Sequence, residues 1–262
     1  MKQITSRDNP LFKSIVLLGR SPRARLAEGR IVLDGVHLVQ SYLQQFGAQG
    51  VELVIKHSAM DHPEIAALLT EASVVTFSDA LFDQAAPVKS PVGILARAPI
   101  PHVPSQPRRQ GFQVLLDGVQ DPGNLGAILR SAAAAGGALA HLSRTCADAW
   151  SPKALRGGMA AQFVLEIREH EDLPALAALL GAPLVTCAPD AATSIFDSDL
   201  RGSIAFAIGG EGKGISPELA ARADRNVRIP MQPGIESLNA GAAAAICFFE
   251  WARQNEPSRG HY

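Results

Sequence analysis

Residues 203–216 read SIAFAIGGEGKGIS, an apolar run that leads directly into a turn with four glycines within six residues. The apolar run predicts a buried strand, and the turn follows at its carboxyl end. Glycine permits positive φ angles and lets the backbone come close to a ligand. The stretch therefore predicts a ligand-binding turn at the end of a strand, although a purely structural turn would explain one or two of the glycines.

The turn matches neither of the two common nucleotide-binding patterns. A P-loop needs Ser or Thr after its Gly-Lys pair, but Gly214 follows Lys213, so the hydroxyl that binds magnesium is missing. In the dinucleotide pattern GxGxxG, Ile215 occupies the place of the last glycine. The carboxylate of Glu211 would also repel a polyphosphate. These residues argue against a nucleoside triphosphate and against a dinucleotide.

The composition is that of a globular protein with a sizeable core. The chain has 262 residues, of which 47% are hydrophobic and 19% charged, and its net charge is -1. The three cysteines, Cys146, Cys187 and Cys247, lie too far apart for a disulfide framework or a CxxC motif, and no His or Cys spacing predicts a metal site. Because no targeting segment or apolar stretch of membrane length is found, we expect a cytoplasmic protein without membrane contact.

A proline-rich stretch divides the chain. Residues 97–111 read RAPIPHVPSQPRRQG, with four prolines and no apolar periodicity, and indicate a linker over 99–110. Before it, short apolar runs and a helical pattern over 63–72 predict a small α/β domain at 1–98. After it, continuous apolar runs alternate with helical patterns over 111–262, which is typical of a doubly wound, mostly parallel sheet. Its predicted strands lie at 112–119, 139–143, 163–168, 183–188, 203–209 and 226–231.

A second stretch with the character of a site reads QDPGNLGAILRSAAAAG, at 120–136. Asn124 lies where a helix N-cap is expected, and Arg130 follows on the same helix. A long side chain on a helix leans toward the N-terminus, so Arg130 would pass over Gly126 toward the exposed N–H groups of the helix start. Such donors suit a phosphate or a developing oxyanion. The alternative is a capped helix with a solvated arginine.

A third stretch, IPMQPGIESLNAGAAAA at 229–245, follows a predicted strand and opens the last helix. Ser237 or Asn239 can cap that helix. Its small residues, Gly241 among them, would let another backbone approach closely. They predict a tight neighbour, either within the fold or from a second subunit.

The three stretches resemble, in order and spacing, the three motifs of the SpoU (TrmH) family of RNA ribose 2′-O-methyltransferases, within the SPOUT superfamily. Residues 151–163, SPKALRGGMAAQF, are similar to the family's intervening segment, and the resemblance covers about 112–253. The N-terminal region is similar, more loosely, to the L30e-related substrate-binding domain found in this family. The resemblance implies an α/β fold whose mostly parallel C-terminal sheet contains a trefoil knot. It also implies a homodimer, S-adenosylmethionine as cofactor, no metal, and RNA as partner, ribosomal RNA ahead of tRNA.

The resemblance assigns roles to individual residues. Arg130 and Asn124 match the catalytic motif. A guanidinium keeps its proton at neutral pH and therefore cannot easily accept another one as a general base. We expect Arg130 instead to orient a phosphate and stabilise a developing alkoxide, with Asn124 holding it in place. The other polar site positions are Glu211, Ser237 and Asn239, and the expected cofactor contacts are Gly209, Ile229, Met231 and Leu238.

The first thirty residues carry seven basic and only two acidic side chains. This excess suits contact with RNA phosphates, although a solvated basic face is an alternative. The expected RNA contacts are Arg7, Lys13, Arg23, Arg25 and Arg30.

Two other functions are compatible with parts of the sequence. The first is a non-catalytic RNA-binding or ribosome assembly factor on the same scaffold, against which the retained polar motif residues argue. The second is a nicotinamide or flavin enzyme, against which the failed GxGxxG argues. The chain also departs from the family pattern at four positions, Asp34, Gly158, Ala160 and Gly241, where Glu, a small hydroxyl residue, Gly, and Ser or Ala are more usual.

Overall fold

The computed structural model describes residues 2–69, 73–103 and 111–255, and the chain divides into two compact units. The first unit contains Met1–His102 and Trp150–Phe163, and the second contains Val103–Ala149 and Val164–Tyr262. The division falls within the predicted linker, of which residues 104–110 lie outside the described residues. Trp150–Phe163, which the predicted division at 111 assigns to the second domain, belongs to the first unit instead.

The first unit is built on a mixed five-stranded sheet in the order β1-β4-β3-β5-β2. Strand β4 pairs in parallel with β1 and β3, whereas β5 runs antiparallel to β2 and β3. The elements are β1 (Lys2–Ile4), α1 (Pro10–Arg20), α2 (Pro22–Glu28), β2 (Arg30–Asp34), α3 (Val36–Phe46), β3 (Glu52–Lys56), α4 (Pro63–Ala66), β4 (Ser73–Phe77), α5 (Asp79–Ala85) and β5 (Ile94–Pro99).

Local sequence explains the first two helices. The Asn9 side chain accepts hydrogen bonds from the backbone of Leu11 and Phe12, and Pro10 occupies the first helical turn, so α1 begins there. Ser21 caps α2 in the same way, and Gly29 ends it in the left-handed conformation. The predicted helix over 63–72 is shorter in the structure, ending at Ala66, and residues 70–72 lie outside the described part of the chain.

The second unit contains a seven-stranded sheet in the order β10-β12-β9-β11-β6-β7-β8, and all of its strand pairs are parallel. The prediction of a mostly parallel sheet is therefore confirmed. The elements from here on are β6 (Gln113–Asp117), α6 (Pro122–Ala134), β7 (Leu139–Ser143), α7 (Pro152–Gly158, in the first unit), β8 (Glu166–Glu171), α8 (Leu173–Ala177), β9 (Leu184–Cys187), β10 (Thr193–Ser194), β11 (Ala205–Gly209), α9 (Pro217–Ala220), β12 (Arg225–Arg228) and α10 (Ala240–Asn255).

The strand order brings separated stretches of sequence to one edge of this sheet. Strands β9, β11 and β6 are neighbours, so the turns that follow them lie side by side at their carboxyl ends. After β12 the chain returns to α10, which packs against α6 and β11. An aromatic cluster of Phe112, Phe206, Phe248 and Trp251 secures α10, with ring centroids 4.9 to 5.5 Å apart. Within the described ranges, no helix is both long and apolar enough to cross a membrane.

Candidate functional site

A cavity of about 470 Å³ opens at the carboxyl ends of β9 and β11 and beside the segment that follows β12. Its size is typical of small-molecule sites. All four residues predicted to contact a cofactor line it, and two of the predicted polar residues line it as well. The six are Gly209, Ile229, Met231, Leu238, Glu211 and Ser237.

The glycine turn forms one wall, and two of its glycines are required by close backbone packing. A Cβ atom on Gly209 would collide with the backbone of Gly214 and Ile215, and one on Gly210 would collide with the Gly118 carbonyl. The turn closes on itself through a hydrogen bond of 3.1 Å from the Gly214 N–H to the Gly210 carbonyl. Gly212 has a φ of +87°, which favours glycine at that position too.

Asp117, at the end of β6, fixes this turn from the neighbouring strand. Its carbonyl accepts a hydrogen bond of 2.9 Å from the Gly210 N–H. Its carboxylate accepts a second bond, of 2.8 Å, from the Ser216 N–H. Sequence reasoning missed Asp117 because its role depends on β6 and β11 being neighbours, although an acid at a strand end is a pattern that could have drawn attention to it.

A chain of hydrogen bonds joins three of the predicted polar residues. The Asn124 side-chain amide donates to a carboxylate oxygen of Glu211. In turn, the Asn239 amide donates to the Asn124 Oδ1 over 3.1 Å. None of the hydrogen bonds among the described residues joins Asn124 to Arg130, so the expected contact by which Asn124 holds Arg130 is not formed in this structure.

Two predicted helix starts are now resolved. The N-cap of α6 is Asp121, whose carboxylate accepts from the Asn124 N–H at 2.9 Å, so the prediction of Asn124 as cap is wrong. Asp121 takes the cap because Pro122 is suited to the first helical position, and this moves Asn124 into the first turn. At α10 the cap is Asn239, whose Oδ1 accepts from the Gly241 N–H at 2.9 Å.

Gly241 also shows which neighbour the small residues of α10 accommodate. A Cβ atom there would lie 3.5 Å from the Cβ of Ala127 on α6. The tight neighbour is therefore α6, within the fold.

Arg130 lies apart from the other predicted site residues. It is exposed on α6, six residues beyond Asn124, which corresponds to about 9 Å along the helix axis. It does not line the cavity, and none of the described residues forms an ion pair or hydrogen bond with it. Its guanidinium is available to a ligand from outside the chain.

The cavity fits S-adenosylmethionine. Ile229, Met231 and Leu238 supply apolar surface, while the glycine turn brings backbone close to the space. Among the described residues that line the cavity, Glu211 is the one carboxylate, and a negative charge there attracts a sulfonium cation. No cluster of three or more potential His, Cys, Asp or Glu metal ligands is found in the described residues.

A thiol on the cavity wall is a further feature that the sequence did not reveal. Cys187, at the end of β9, lines the cavity, and Cys247 on α10 is buried. A hydrogen bond from Cys247 lowers the pKa of Cys187, against the opposing effect of burial.

The residues predicted to contact RNA lie in the first unit, in different environments. Arg7 and Arg23 are exposed. Lys13 is exposed and forms an ion pair of 2.9 Å with Asp8, whereas Arg30 is half-buried and donates to the Gly50 carbonyl. The prediction for Arg25 is wrong, because its side chain is buried and donates to the Leu18 carbonyl, where no phosphate can reach it.

Comparison with known proteins adds independent information. The sequence profile of the SpoU rRNA methylase family matches residues 111–249. An uncharacterized tRNA/rRNA methyltransferase of Synechocystis sp. is 31% identical, over 96% of this chain and 93% of its own length. A 23S rRNA guanosine 2′-O-methyltransferase of Bacillus subtilis is 30% identical, over 95% of this chain and 98% of its own.

A solved structure resembles the fold over almost the same extent. The crystal structure of an AdoMet-bound rRNA methyltransferase from Sinorhizobium meliloti has a TM-score of 0.81, with 26% identity, over 96% of this chain and 97% of its own. The parallel sheet, the cavity at its carboxyl edge and these matches lead to one conclusion: the chain belongs to the SpoU rRNA methylase family.

Proposed function

We propose that this protein transfers a methyl group from S-adenosylmethionine to a ribose 2′-hydroxyl of ribosomal RNA. The observation that carries the proposal is the cavity of the second unit. Glu211 and Ser237 line this cavity together with the four residues expected to contact the cofactor. A chain of hydrogen bonds links Glu211 to Asn124 and Asn124 to Asn239. The rRNA methyltransferases of Bacillus subtilis and Sinorhizobium meliloti match nearly the whole chain, which favours ribosomal RNA over tRNA.

The protein holds the methyl donor and orients the acceptor. Bound S-adenosylmethionine supplies an electrophilic methyl group on a sulfonium, so the transfer needs no metal. Gly209, Ile229, Met231 and Leu238 bind the donor, and the Glu211 carboxylate interacts favourably with its positive charge. The Asn124 amide fixes Glu211, and Asn239 fixes Asn124.

Arg130 supplies the positive charge that the reaction needs on the acceptor side. Removal of the 2′-hydroxyl proton creates negative charge on oxygen, which a guanidinium stabilises. A planar fork of N–H donors can also hold an adjacent RNA phosphate in a fixed orientation. Because no described residue pairs with Arg130, its donors are free for RNA.

A trefoil knot around the cavity is part of the proposed structure of the site. In support, the segment 229–239 leaves β12, contributes Ile229, Met231, Ser237 and Leu238 to the cavity, and leads to α10 against α6 and β11. The glycine turn faces the same space. We further propose a homodimer, for which the exposed Phe249 on α10, with 51% of its surface accessible, offers apolar contact area.

The first unit is the RNA-binding, L30e-like part of the proposed enzyme, and the exposed Arg7 and Arg23 contact RNA phosphates. We further propose that the enzyme acts in the cytoplasm.

The proposal is tested by methyl transfer. Tritium-labelled S-adenosylmethionine is incubated with the protein and, separately, with purified tRNA, 16S rRNA and 23S rRNA that lack the modification. We expect incorporation into one rRNA. No incorporation into any of them, together with tight RNA binding, would contradict the proposal and favour the assembly-factor alternative. A parallel calorimetric titration, in which the protein binds S-adenosylmethionine but not NADH, excludes a nicotinamide enzyme.

A further inference from the structure

A second cavity, of about 860 Å³, lies within the first unit and has no part in the methyl-donor site. It is bounded by the end of β2 and the start of α3, by residues that follow α4, and by the end of α7. Its lining includes Asp34, His37, Leu68, Val92, Arg156 and Met159.

A carboxylate, Asp34, and a guanidinium, Arg156, line this cavity without forming a hydrogen bond to each other. The Asp34 side chain is only 5% exposed, and its Oδ2 lies 3.6 Å from the Arg156 Nη1, too far for a hydrogen bond. None of the described residues donates a hydrogen bond to the Asp34 carboxylate. Burial raises the pKa of Asp34, and the charge of Arg156 opposes that change.

Arg156 likewise has a polar atom that lacks a hydrogen-bond partner. Its Nη1 is buried and has no hydrogen-bond partner, although 37% of the side chain is exposed. A buried donor without a partner destabilises the folded protein. An ion pair that served the fold alone would close to hydrogen-bond distance and recover this energy. Because both residues line the cavity, a ligand inside it can accept from Arg156 and donate to Asp34.

The remaining walls suit a flat apolar ring. Leu38 and Leu68 lie in the lining, and Val92 and Met159 also line it while remaining 56% and 44% exposed. These apolar side chains offer contact to the faces of a ring, and Asp34 and Arg156 in the same lining offer hydrogen bonds to its edge.

We propose that this cavity binds one unstacked guanine base of the RNA, with Asp34 accepting from the base and Arg156 donating to it. Among the four RNA bases, guanine alone has two adjacent N–H donors, at N1 and N2, that can engage both oxygens of a carboxylate. Its O6 lies next to N1 and is a good acceptor for a guanidinium. Recognition of an unpaired base by its edges, with apolar side chains against its faces, is the usual mode for single-stranded RNA. The inference rests on the proposed function in one respect, that the ligand is RNA.

The test is binding of short RNAs to the full chain without S-adenosylmethionine. Four fluorescein-labelled pentanucleotides carry guanine, adenine, cytosine or uracil between flanking uridines, and fluorescence anisotropy gives each Kd. We expect the guanine probe to bind about tenfold or more tighter than the other three. Equal affinities for the four probes would overturn the inference without any variant.

Two variants test whether the preference for guanine arises at Asp34. Asp34→Asn removes half of the acceptor capacity, and we expect it to reduce the preference for guanine to about twofold or less. The matched control is Asp83→Asn in the same unit, since Asp83 is also paired with a cation, Lys56 at 2.7 Å, but does not line the cavity. The control should keep the wild-type preference. An Asp34→Asn protein that also keeps it would exclude this cavity as the base site.

Methyl transfer, measured separately, distinguishes the two ideas. Transfer to rRNA without any base preference in the binding assay overturns the guanine site and leaves the proposed function intact. A guanine preference without transfer to any RNA supports the guanine site and overturns the proposed function.

Discussion

Asn124 links the two polar side chains of the site that come from distant parts of the chain. It donates to Glu211 of the glycine turn and accepts from Asn239, the cap of the last helix. An amide is suited to this position because it has a donor and an acceptor on one planar group. A residue with only one of these functions would leave either Glu211 or Asn239 without its partner.

Replacing Asn124 by Asp should therefore impair catalysis more than cofactor binding. In Asn124→Asp a carboxylate faces the Glu211 carboxylate, which loses its donor and is repelled. We expect turnover to fall on the order of a hundredfold. The affinity for S-adenosylmethionine, measured by calorimetry, should fall by a smaller factor, because Asn124 does not line the cavity and acts on the donor only through Glu211. A variant with near-normal turnover would remove Asn124 from the mechanism.

Arg130→Lys keeps the positive charge but removes the planar fork. If Arg130 orients a phosphate through two donors, turnover should fall about tenfold or more, with no loss of S-adenosylmethionine affinity. The matched control is Arg222→Lys, another exposed arginine of the same unit. Wild-type turnover in Arg130→Lys would mean that charge alone matters at this position.

The sequence predicted which single residues belong to the site, but it did not predict which side chains they contact. Gly209, Glu211 and Ser237 were identified from motif position and do line one cavity. The contacts of Asn124 and the pair formed by Asp34 and Arg156 could not be predicted, because each joins residues more than eighty positions apart. Burial of Arg25 was equally hidden, since its neighbourhood is basic and polar in sequence.

The element that shapes the methyl-donor cavity is the turn after β11, and its backbone packing permits no side chain at Gly209. Gly209→Ala forces a Cβ atom against the backbone of Gly214 and Ile215. We expect a loss of unfolding free energy of about 1 to 3 kcal/mol, measured by urea denaturation, and S-adenosylmethionine binding weaker by about tenfold or more. The control is Gly181→Ala, where the added Cβ has no atom within 4 Å and should change neither quantity. Normal affinity in Gly209→Ala would show that the turn does not form the donor site.

The segment that ends α7 explains one departure from the family pattern, Gly158, but not the other, Ala160. A Cβ atom at Gly158 would collide with the Gln162 side chain, whose Nε2 donates to the Ala154 carbonyl at 3.0 Å, so glycine and Gln162 are complementary here. Ala160, in the place of a more usual glycine, has a φ of 72°, in the left-handed region that costs an alanine roughly 1 kcal/mol or more.

Most strands were predictable and several helices were not. All six predicted strands of the second unit have counterparts in the sheet. Strands β6, β7, β9 and β11 are largely buried apolar runs, as expected in a parallel sheet, whereas β8 and β12 are mostly polar. The two-residue β10 is too short to carry any pattern. Helices α1 and α2 begin at short local signals, the side-chain caps Asn9 and Ser21, which the hydrophobic pattern alone does not reveal.

At the scale of the whole molecule, a chain with a net charge of -1 must bind RNA through local charge. Three arginines of the first unit, Arg7, Arg20 and Arg23, are exposed and have no ion-pair partner among the described residues. If each contacts a phosphate, replacing all three by Gln should reduce the slope of log K against log salt by about 2 for single-stranded RNA. Arg201→Gln, which removes an arginine already paired with Asp199 at 2.7 Å, should leave the slope unchanged. An unchanged slope in the triple variant would favour a solvated basic face.

A knot is the feature of the whole molecule that residue patterns predict least. General rules of chain topology argue against knots, and the expectation of one comes only from the family resemblance. What a parallel sheet does predict is the place of the site, at the carboxyl ends of its strands, and the cavity lies there.

The measurement that tests the central claim most directly is the identity of the methylated nucleoside. The protein is incubated with S-adenosylmethionine and unmodified 23S rRNA, and the RNA is then digested to nucleosides for mass spectrometry. We predict one 2′-O-methylated nucleoside, with the added mass on the ribose fragment, and its loss when Arg130 and Asn124 are both replaced by Ala. Methylation on a base, or a ribose methylation that the double variant retains, would contradict the account.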